Sequence, residues 1–157
     1  MTAAPAGGYR ASGTHHTRVE WIDTDAAGIY HNSTAVRFVE AAEATMMAEH
    51  GLHDYFPHAP RVRYEVDFES PLRFGQPITT SVEIEHLGTA SMRIQFEIWG
   101  EATDGRPRRR AASGSYTTVH ISGDHSGDGA TSSPWPTEWV TALTRPPRQH
   151  QSASRQE

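Results

Sequence analysis

The sequence predicts an α+β fold in which a curved antiparallel sheet wraps around one long central helix. Three observations lead to this expectation. One substantial helix is predicted, over Ser33 to His50; the other long regular segments have strand patterns; and the later strands are joined by short turns. A doubly wound parallel sheet is excluded, because parallel strands need a long crossover between them, usually a helix.

The central helix is identified by an apolar stripe at helical spacing. Asn32 or Ser33 is placed to cap its beginning, and Gly51 to end it. We expect the sheet to bury this stripe, which consists of Ala35, Phe38, Val39, Ala42 and Met46.

The strands are predicted from alternating apolar and polar residues. Turn signals separate them at Gly88 and at the Asp104-Gly105-Arg106-Pro107 segment. The predicted strands are Thr14–Ile22, Arg61–Phe68, Ile78–Leu87, Ser91–Gly100 and Arg108–Ile121. In the second of them, one face is expected to carry Val62, Tyr64, Val66 and Phe68.

Composition divides the chain into three parts. Residues 1–13 are predicted to be a disordered leader rich in Ala, Gly and Pro, and residues 14–121 to form the folded domain. Residues 122–157 are a Gly-, Ser- and Pro-rich segment with a short helix expected near 136–144. From Pro146 onward the chain is predicted to be disordered.

Composition also excludes several classes of function. The 157 residues include no cysteine, which excludes disulfides, thiolate metal sites and a cysteine nucleophile. The net charge of −5 argues against nucleic acid as the main partner. No apolar run is long enough for a transmembrane helix, and no secretory signal is recognisable, so the cytoplasm is the expected location. The sequence gives no reason to expect a metal site or an organic cofactor.

The strongest functional signal is the segment Asp23-Thr24-Asp25-Ala26-Ala27-Gly28-Ile29-Tyr30-His31-Asn32, which precedes the central helix. Backbone N–H groups at a helix N-terminus are unpaired and carry partial positive charge. A carboxylate facing them can attack a carbonyl group, or activate water against it, while the N–H groups hold the carbonyl oxygen. The alternative for Asp25 is an Asx turn without a chemical task.

The same segment resembles hotdog-fold thioesterases of the 4-hydroxybenzoyl-CoA thioesterase type, which include short acyl-CoA thioesterases. The family pattern is Asp-x-Asp-x-x-Gly, then His or Asn, then a helix that carries an acidic residue. This chain matches it from about residue 18 to residue 121, with Asp23, Asp25, Gly28, His31, Asn32 and Glu40. The strand end Val66-Asp67-Phe68-Glu69-Ser70-Pro71 and the Gly88-Thr89-Ala90-Ser91 turn also fit.

The resemblance implies a hydrolase that cleaves the thioester of an acyl-CoA or acyl-carrier-protein substrate without a cofactor. It assigns the role of nucleophile or general base to Asp25 and implies that the backbone N–H of Asn32 polarises the thioester oxygen. It further implies a dimer with sheets joined edge to edge, or a tetramer of such dimers, with the active sites at the interface. Many members have an aromatic residue where this chain has Ala35, which predicts a larger acyl pocket.

Most of the remaining candidate residues have two interpretations. His31 is a candidate base or orienting group, or a loop residue without a task. Gly28 is expected to allow a positive φ or a close approach of ligand. Arg37 and Glu40 are either an exposed ion pair or substrate-binding residues that meet a second subunit. Asp23 is expected to be structural.

The arginine run at the last hairpin is either a solvated tip or a landing site for phosphate groups. It consists of Arg106, Arg108, Arg109 and Arg110. Two rival functions stay open: a polyketide-pathway hotdog thioesterase acting on a carrier-bound β-keto chain, and a non-catalytic module that binds acyl groups. A hotdog dehydratase is disfavoured, because only His31 is placed to serve it.

Overall fold

A computed structural model describes residues 8–122 and 131–148. The predictions of disorder for residues 1–7 and 149–157, and of a loop over 123–130, lie outside these ranges. Within them, five antiparallel strands form one sheet in the order β1-β3-β4-β5-β2. The strands are β1 (Ser12–Arg18), β2 (Arg61–Phe68), β3 (Pro77–Leu87), β4 (Ser91–Gly100) and β5 (Arg109–Val119). This confirms the predicted α+β class.

The central helix α1 (Thr34–Glu49) packs across one face of this sheet, against β1, β3 and β4. Its predicted stripe is fully buried, with exposed fractions of 4% or less. The helix comes so close to β1 that a Cβ atom added to Gly13 would lie 2.7 Å from Met46 Cβ and 2.8 Å from the Ala42 carbonyl oxygen. Glycine at this position therefore permits the close contact between helix and sheet.

Strand β4 supplies much of the apolar surface under the helix. Its side chains alternate as predicted, and Arg93 and Gln95 are exposed on the outer face. The residues that face α1 are all buried: Met92, Ile94, Phe96 and Ile98.

The first strand ends earlier than predicted. β1 stops at Arg18, and a 3-10 turn follows over Trp21–Asp23. The Glu20 N–H donates to Asp23 Oδ2 at 2.7 Å, while the Asp23 N–H donates to the Glu20 carbonyl at 3.0 Å. These reciprocal bonds favour the turn over continued strand. They leave the side chains of Trp21 and Ile22 exposed.

The predicted face of β2 is interrupted by a β-bulge. The register with β5 shifts between Arg61 and Arg63, so Arg61 occupies the inward position and Val62 is 60% exposed. Tyr64 and Val66 pack against the core as expected.

Smaller elements complete the described chain. A two-stranded ribbon pairs β6 (Ile121–Ser122) with β7 (Thr131–Ser132), and the short helix α2 spans Thr137–Leu143. Trp135 and Leu143 join the hydrophobic core, and β1 begins two residues before the expected domain boundary. The helices of the described segments are too short or too polar to cross a membrane.

Candidate active site

The Asp25 carboxylate lies on a tight turn ahead of α1. Its Oδ1 accepts a hydrogen bond from the Ala27 N–H at 2.8 Å, and the Gly28 N–H donates to the Asp25 carbonyl at 3.0 Å. Gly28 has a φ of 75°, a conformation that favours glycine. The turn therefore orients the carboxyl group through one oxygen. The side chain is exposed, and Oδ2 has no hydrogen-bond partner in the described part of the chain.

Asp23 is a structural anchor for this loop. It is 1% exposed, forms an ion pair with Arg37 of α1 and accepts the Glu20 N–H. Its carbonyl accepts the His31 N–H at 2.7 Å and the Thr34 hydroxyl at 3.2 Å. These contacts fix the distance between the turn and the first residues of the helix.

The N-terminus of α1 has one free main-chain donor beside the turn. The His31 N–H is bound to Asp23, and the Ser33 N–H donates to His31 Nδ1 at 3.1 Å. Among the described residues, nothing accepts a hydrogen bond from the Asn32 N–H. Ser33 precedes the helix but its side chain does not cap it; its hydroxyl lies 2.6 Å from His31 Nδ1. The Asn32 N–H is thus the available donor at this helix end.

His31 is oriented by these same contacts. Because Nδ1 accepts the Ser33 N–H, the neutral ring carries its proton on Nε2. His31 is exposed, so Nε2 is left to donate a hydrogen bond to a ligand or to water.

A groove of about 510 Å³ lies between the Asp25 turn, the N-terminal end of α1 and the end of β2. Its walls include Asp25, His31 and Asn32 on one side and Phe68, Glu69 and Ser70 on the other. Tyr30 also lines the groove, and the centre of its ring is 6.0 Å from that of Phe68. An acyl group would therefore meet aromatic surface beside a carboxylate and a main-chain donor.

Two charged or titratable side chains of this groove have shifted pKa values. Burial, with a smaller contribution from Tyr64, raises the pKa of Tyr30 to about 12. Hydrogen bonds from Arg110, at 2.7 and 2.9 Å, hold the pKa of Glu69 below its ordinary value. Glu69 is therefore ionised and paired, whereas Asp25 forms no ion pair with any of the described residues.

A buried ionic cluster joins α1 to the start of β2, outside the groove, and was not predicted. Glu43 of α1 is 1% exposed; it forms an ion pair with Arg61 and accepts the Tyr55 hydroxyl at 2.8 Å. The same hydroxyl lies 3.1 Å from Thr118 Oγ1. Burial raises the pKa of Glu43, although Arg61 opposes this shift. The sequence contained a signal for this cluster, because Glu43 falls on the apolar face of the helix, between Val39 and Met46.

The other predicted site residues have different positions. Arg37 pairs with Asp23 rather than with Glu40, and Glu40 Oε1 lies 3.8 Å from Arg61 Nη1. Neither Arg37 nor Glu40 is among the described residues that line the groove. Tyr30 and the residues at the end of β2 also line the groove. They belong to the two segments that carry the family resemblance, residues 23–32 and 66–71.

Comparison with known proteins places this site in context. Residues 19–143 match the family model described as the thioesterase-like superfamily. A curated relative, the 1,4-dihydroxy-2-naphthoyl-CoA hydrolase of Thermosynechococcus vestitus, is 25% identical over 92 residues. That alignment covers 55% of this chain and 63% of the relative, so the chain spans about three fifths of its length.

Solved structures share the fold along most of the chain. The 4-hydroxybenzoyl-CoA thioesterase from Pseudomonas sp. strain CBS-3 has a TM-score of 0.75 at 18% identity, covering 84% of this chain and 99% of that one. The dynemicin thioesterase, studied for polyene binding, has a TM-score of 0.74 at 18% identity, covering 86% and 96%. The 1,4-dihydroxy-2-naphthoyl-CoA thioesterase from Synechocystis has a TM-score of 0.71 at 19% identity, covering 84% and 95%. The curved sheet around one helix is therefore the hotdog fold.

Proposed function

Because the chain belongs to the thioesterase-like superfamily, we propose that it hydrolyses the thioester of an acyl-CoA or acyl-carrier-protein substrate. One observation carries the proposal. The exposed Asp25 carboxylate and the unpartnered Asn32 N–H line the same groove, at the N-terminus of the central helix. Relatives named as CoA thioester hydrolases support the substrate class.

The geometry supports a division of labour between these two groups. The Asn32 N–H donates to the thioester carbonyl oxygen, and the helix dipole favours the negative charge that develops there. Asp25 then attacks the carbonyl carbon or removes a proton from a water molecule that attacks it. His31 donates from Nε2 and orients the water or the carbonyl group.

The overall reaction converts a thioester and water into a carboxylic acid and a thiol. The C–S bond breaks and a C–O bond forms, the thiolate takes the proton given up by water, and no redox change occurs. If Asp25 attacks directly, the intermediate is a mixed anhydride that water cleaves, which regenerates the carboxylate.

Replacement of Asp25 by asparagine is the decisive test. Asparagine retains an Oδ1 that can accept the Ala27 N–H, so the turn is kept while the charge is lost. We expect Asp25→Asn to abolish hydrolysis without changing the melting temperature. Hydrolysis is followed with a thiol-detecting reagent, and the protein gives no background because it has no cysteine.

Two further variants sharpen the test. Asp54→Asn is the matched control, since Asp54 is an exposed aspartate outside the groove, and it should retain full activity. Asn32→Ala should retain most of kcat, because the proposed donor is the main chain. Loss of a true oxyanion donor costs roughly 100- to 1,000-fold in kcat. Turnover by Asp25→Asn at the wild-type rate would refute the mechanism.

The proposal includes a homodimer, or a tetramer of dimers, in the cytoplasm, where acyl-CoA is metabolised. An edge-to-edge dimer is supported by the exposed edge strand β2, which carries Val62 and ends in Phe68 at the groove. In such a dimer, Arg37 and Glu40 would face substrate bound partly by the second subunit, as the family resemblance implies.

A panel of thioesters separates the rival functions. Wild-type protein is assayed with aromatic, short, medium and long acyl-CoA esters and with a carrier-bound β-keto chain. Activity on any member excludes a non-catalytic binding module. Activity restricted to the carrier-bound chain would favour the polyketide-pathway thioesterase.

A further inference from the structure

A second cleft adjoins the candidate active site. It has a volume of about 280 Å³ and shares Ser70 and Pro71 with the groove, so the two cavities are neighbours along one surface. Three arginines from two separate segments line it: Arg73 is in the link between β2 and β3, Arg106 is in the loop between β4 and β5, and Arg109 is the first residue of β5.

The three guanidinium groups lack counterions within the described chain. None of them has an ion-pair or side-chain hydrogen-bond partner in residues 8–122 and 131–148. The other two arginines of the same run are paired. Arg108 binds Glu101 and lies over the Trp99 ring, and Arg110 binds Glu69. The run of arginines is therefore divided into paired and unpaired members.

Two carboxylates adjacent to the lining residues of this cleft are already paired. Glu69 and Glu101 lie near it, but each is already held by an arginine, Arg110 or Arg108. The floor of the cleft is closely packed: a Cβ added to Gly100 would lie 2.6 Å from Gln76 Nε2 and 2.8 Å from Leu72 Cδ2, so the open space lies above these residues, among the arginines. Three unpaired cations around an open space form a site for an anion with several oxygens, and phosphate suits the planar donors of arginine.

We propose that this arginine cleft, formed by Arg73, Arg106 and Arg109, binds a phosphate group of the substrate's pantetheine carrier. The inference rests on the proposed function and assigns a position to each end of the substrate. The acyl thioester occupies the groove beside Asp25, and the phosphorylated arm crosses Ser70 and Pro71 to the arginines. The phosphate is either the one attached directly to pantetheine or one of those of the CoA nucleotide.

The proposed phosphate site is tested with a series of three substrates that carry the same acyl group. S-acyl pantetheine has no phosphate, S-acyl 4′-phosphopantetheine has one, and acyl-CoA adds the nucleotide. For the triple variant Arg73→Gln/Arg106→Gln/Arg109→Gln we expect KM for acyl-CoA to rise by about ten-fold or more with kcat unchanged, and no change with S-acyl pantetheine. A rise with 4′-phosphopantetheine identifies the pantetheine phosphate; a rise with acyl-CoA alone identifies the nucleotide.

The control variant is Arg108→Gln/Glu101→Gln, which removes a cation of the same run together with its paired carboxylate, so that no free charge is left beside the cleft. It should leave KM for all three substrates unchanged. An equal loss of the triple variant on all three substrates, or no loss on any, would overturn the phosphate site. Thermal unfolding of each variant establishes that the fold is kept.

Binding of CoA itself makes the test independent of hydrolysis. Titration calorimetry of the wild type, the triple variant and Arg108→Gln/Glu101→Gln with CoA should show at least a ten-fold weaker Kd for the triple variant alone. Equal CoA affinity in all three proteins refutes the arginine cleft even when hydrolysis is observed. CoA binding that depends on the cleft in a protein that hydrolyses no thioester would retain the phosphate site and reject the proposed function.

Discussion

At the scale of single residues, two aspartates separated by one position have opposite environments. Asp23 is 1% exposed and has several partners, whereas Asp25 is exposed and keeps one oxygen free. The difference arises because the 3-10 turn points Asp23 into the protein and the Gly28 turn holds Asp25 at the groove. The two residues should therefore respond differently to the same chemical change.

We predict that Asp23→Asn lowers the free energy of unfolding by about 1–3 kcal/mol, since it replaces the charged partner of Arg37 at a buried position. Asp25→Asn should change it by less than about 0.5 kcal/mol. Urea unfolding of both variants measures the difference. Equal stability losses would show that Asp25 too is a structural residue.

At the scale of secondary-structure elements, the Glu43–Arg61 pair connects α1 to the edge strand β2. The β-bulge at Val62 turns Arg61 inward to meet Glu43. Arg61 Cζ also lies 4.4 Å from the centre of the Tyr116 ring. Helix and edge strand are thus joined by a charged contact in a largely apolar interior.

We predict that Glu43→Ala destabilises the fold by about 3–5 kcal/mol, because removal of one member of a buried pair leaves the other charge uncompensated. Arg61→Ala should cost a similar amount, and the double variant less than the sum of the two. Tyr55→Phe, which removes only the hydroxyl, should cost about 1–2 kcal/mol. Strict additivity in the double-mutant cycle would contradict the coupling.

Because of two interior tyrosines, we predict that the free energy of unfolding falls in alkaline solution. Burial raises the pKa of both Tyr30 and Tyr64 to about 12. Between about pH 10 and 12 the unfolded chain ionises these groups and the folded chain does not, so stability should fall as the pH rises, by about 1.4 kcal/mol per pH unit for each tyrosine.

The chain contains no lysine and no cysteine, so no such side chain adds to this alkaline titration. Tyr30→Phe and Tyr64→Phe should each reduce the slope of stability against pH, as measured by urea unfolding. Tyrosinate absorbance of the native protein provides a second measurement. An unchanged slope in both variants would show that these tyrosines titrate normally in the folded state.

At the scale of the whole molecule, β1 and β2 are the two edges of the sheet, and only β2 ends at the groove. Val62 is 60% and Phe68 47% exposed on that strand. An edge strand with exposed apolar side chains offers unpaired backbone groups to another strand. This favours β2 over β1 as the contact surface of the proposed dimer.

We predict that Val62→Glu converts the proposed dimer to a monomer and lowers activity, because like charges would meet across the joined edges. Thr14→Glu, on the opposite edge strand, is the control and should leave the dimer intact. Analytical ultracentrifugation gives the oligomeric state of each protein. A wild-type monomer, or a dimer unaffected by Val62→Glu, would exclude this arrangement.

The sequence by itself determined the fold class, the helix with its buried stripe, and the turn that carries Asp25. These are local properties, because each follows from the spacing of side chains along a short segment. Asn32 was singled out by the resemblance to hotdog thioesterases, because the residue type gives no sign of a main-chain donor.

Only the tertiary structure decided which N–H groups are free, since partners such as Asp23 and His31 become neighbours through folding. It alone revealed the bulge that brings Arg61 to Glu43 and separated the paired from the unpaired arginines. A contact between residues distant in sequence depends on strand register and on the path of loops. A single sequence does not fix these, which is why the segment containing Asp25 was identifiable while its surroundings were not.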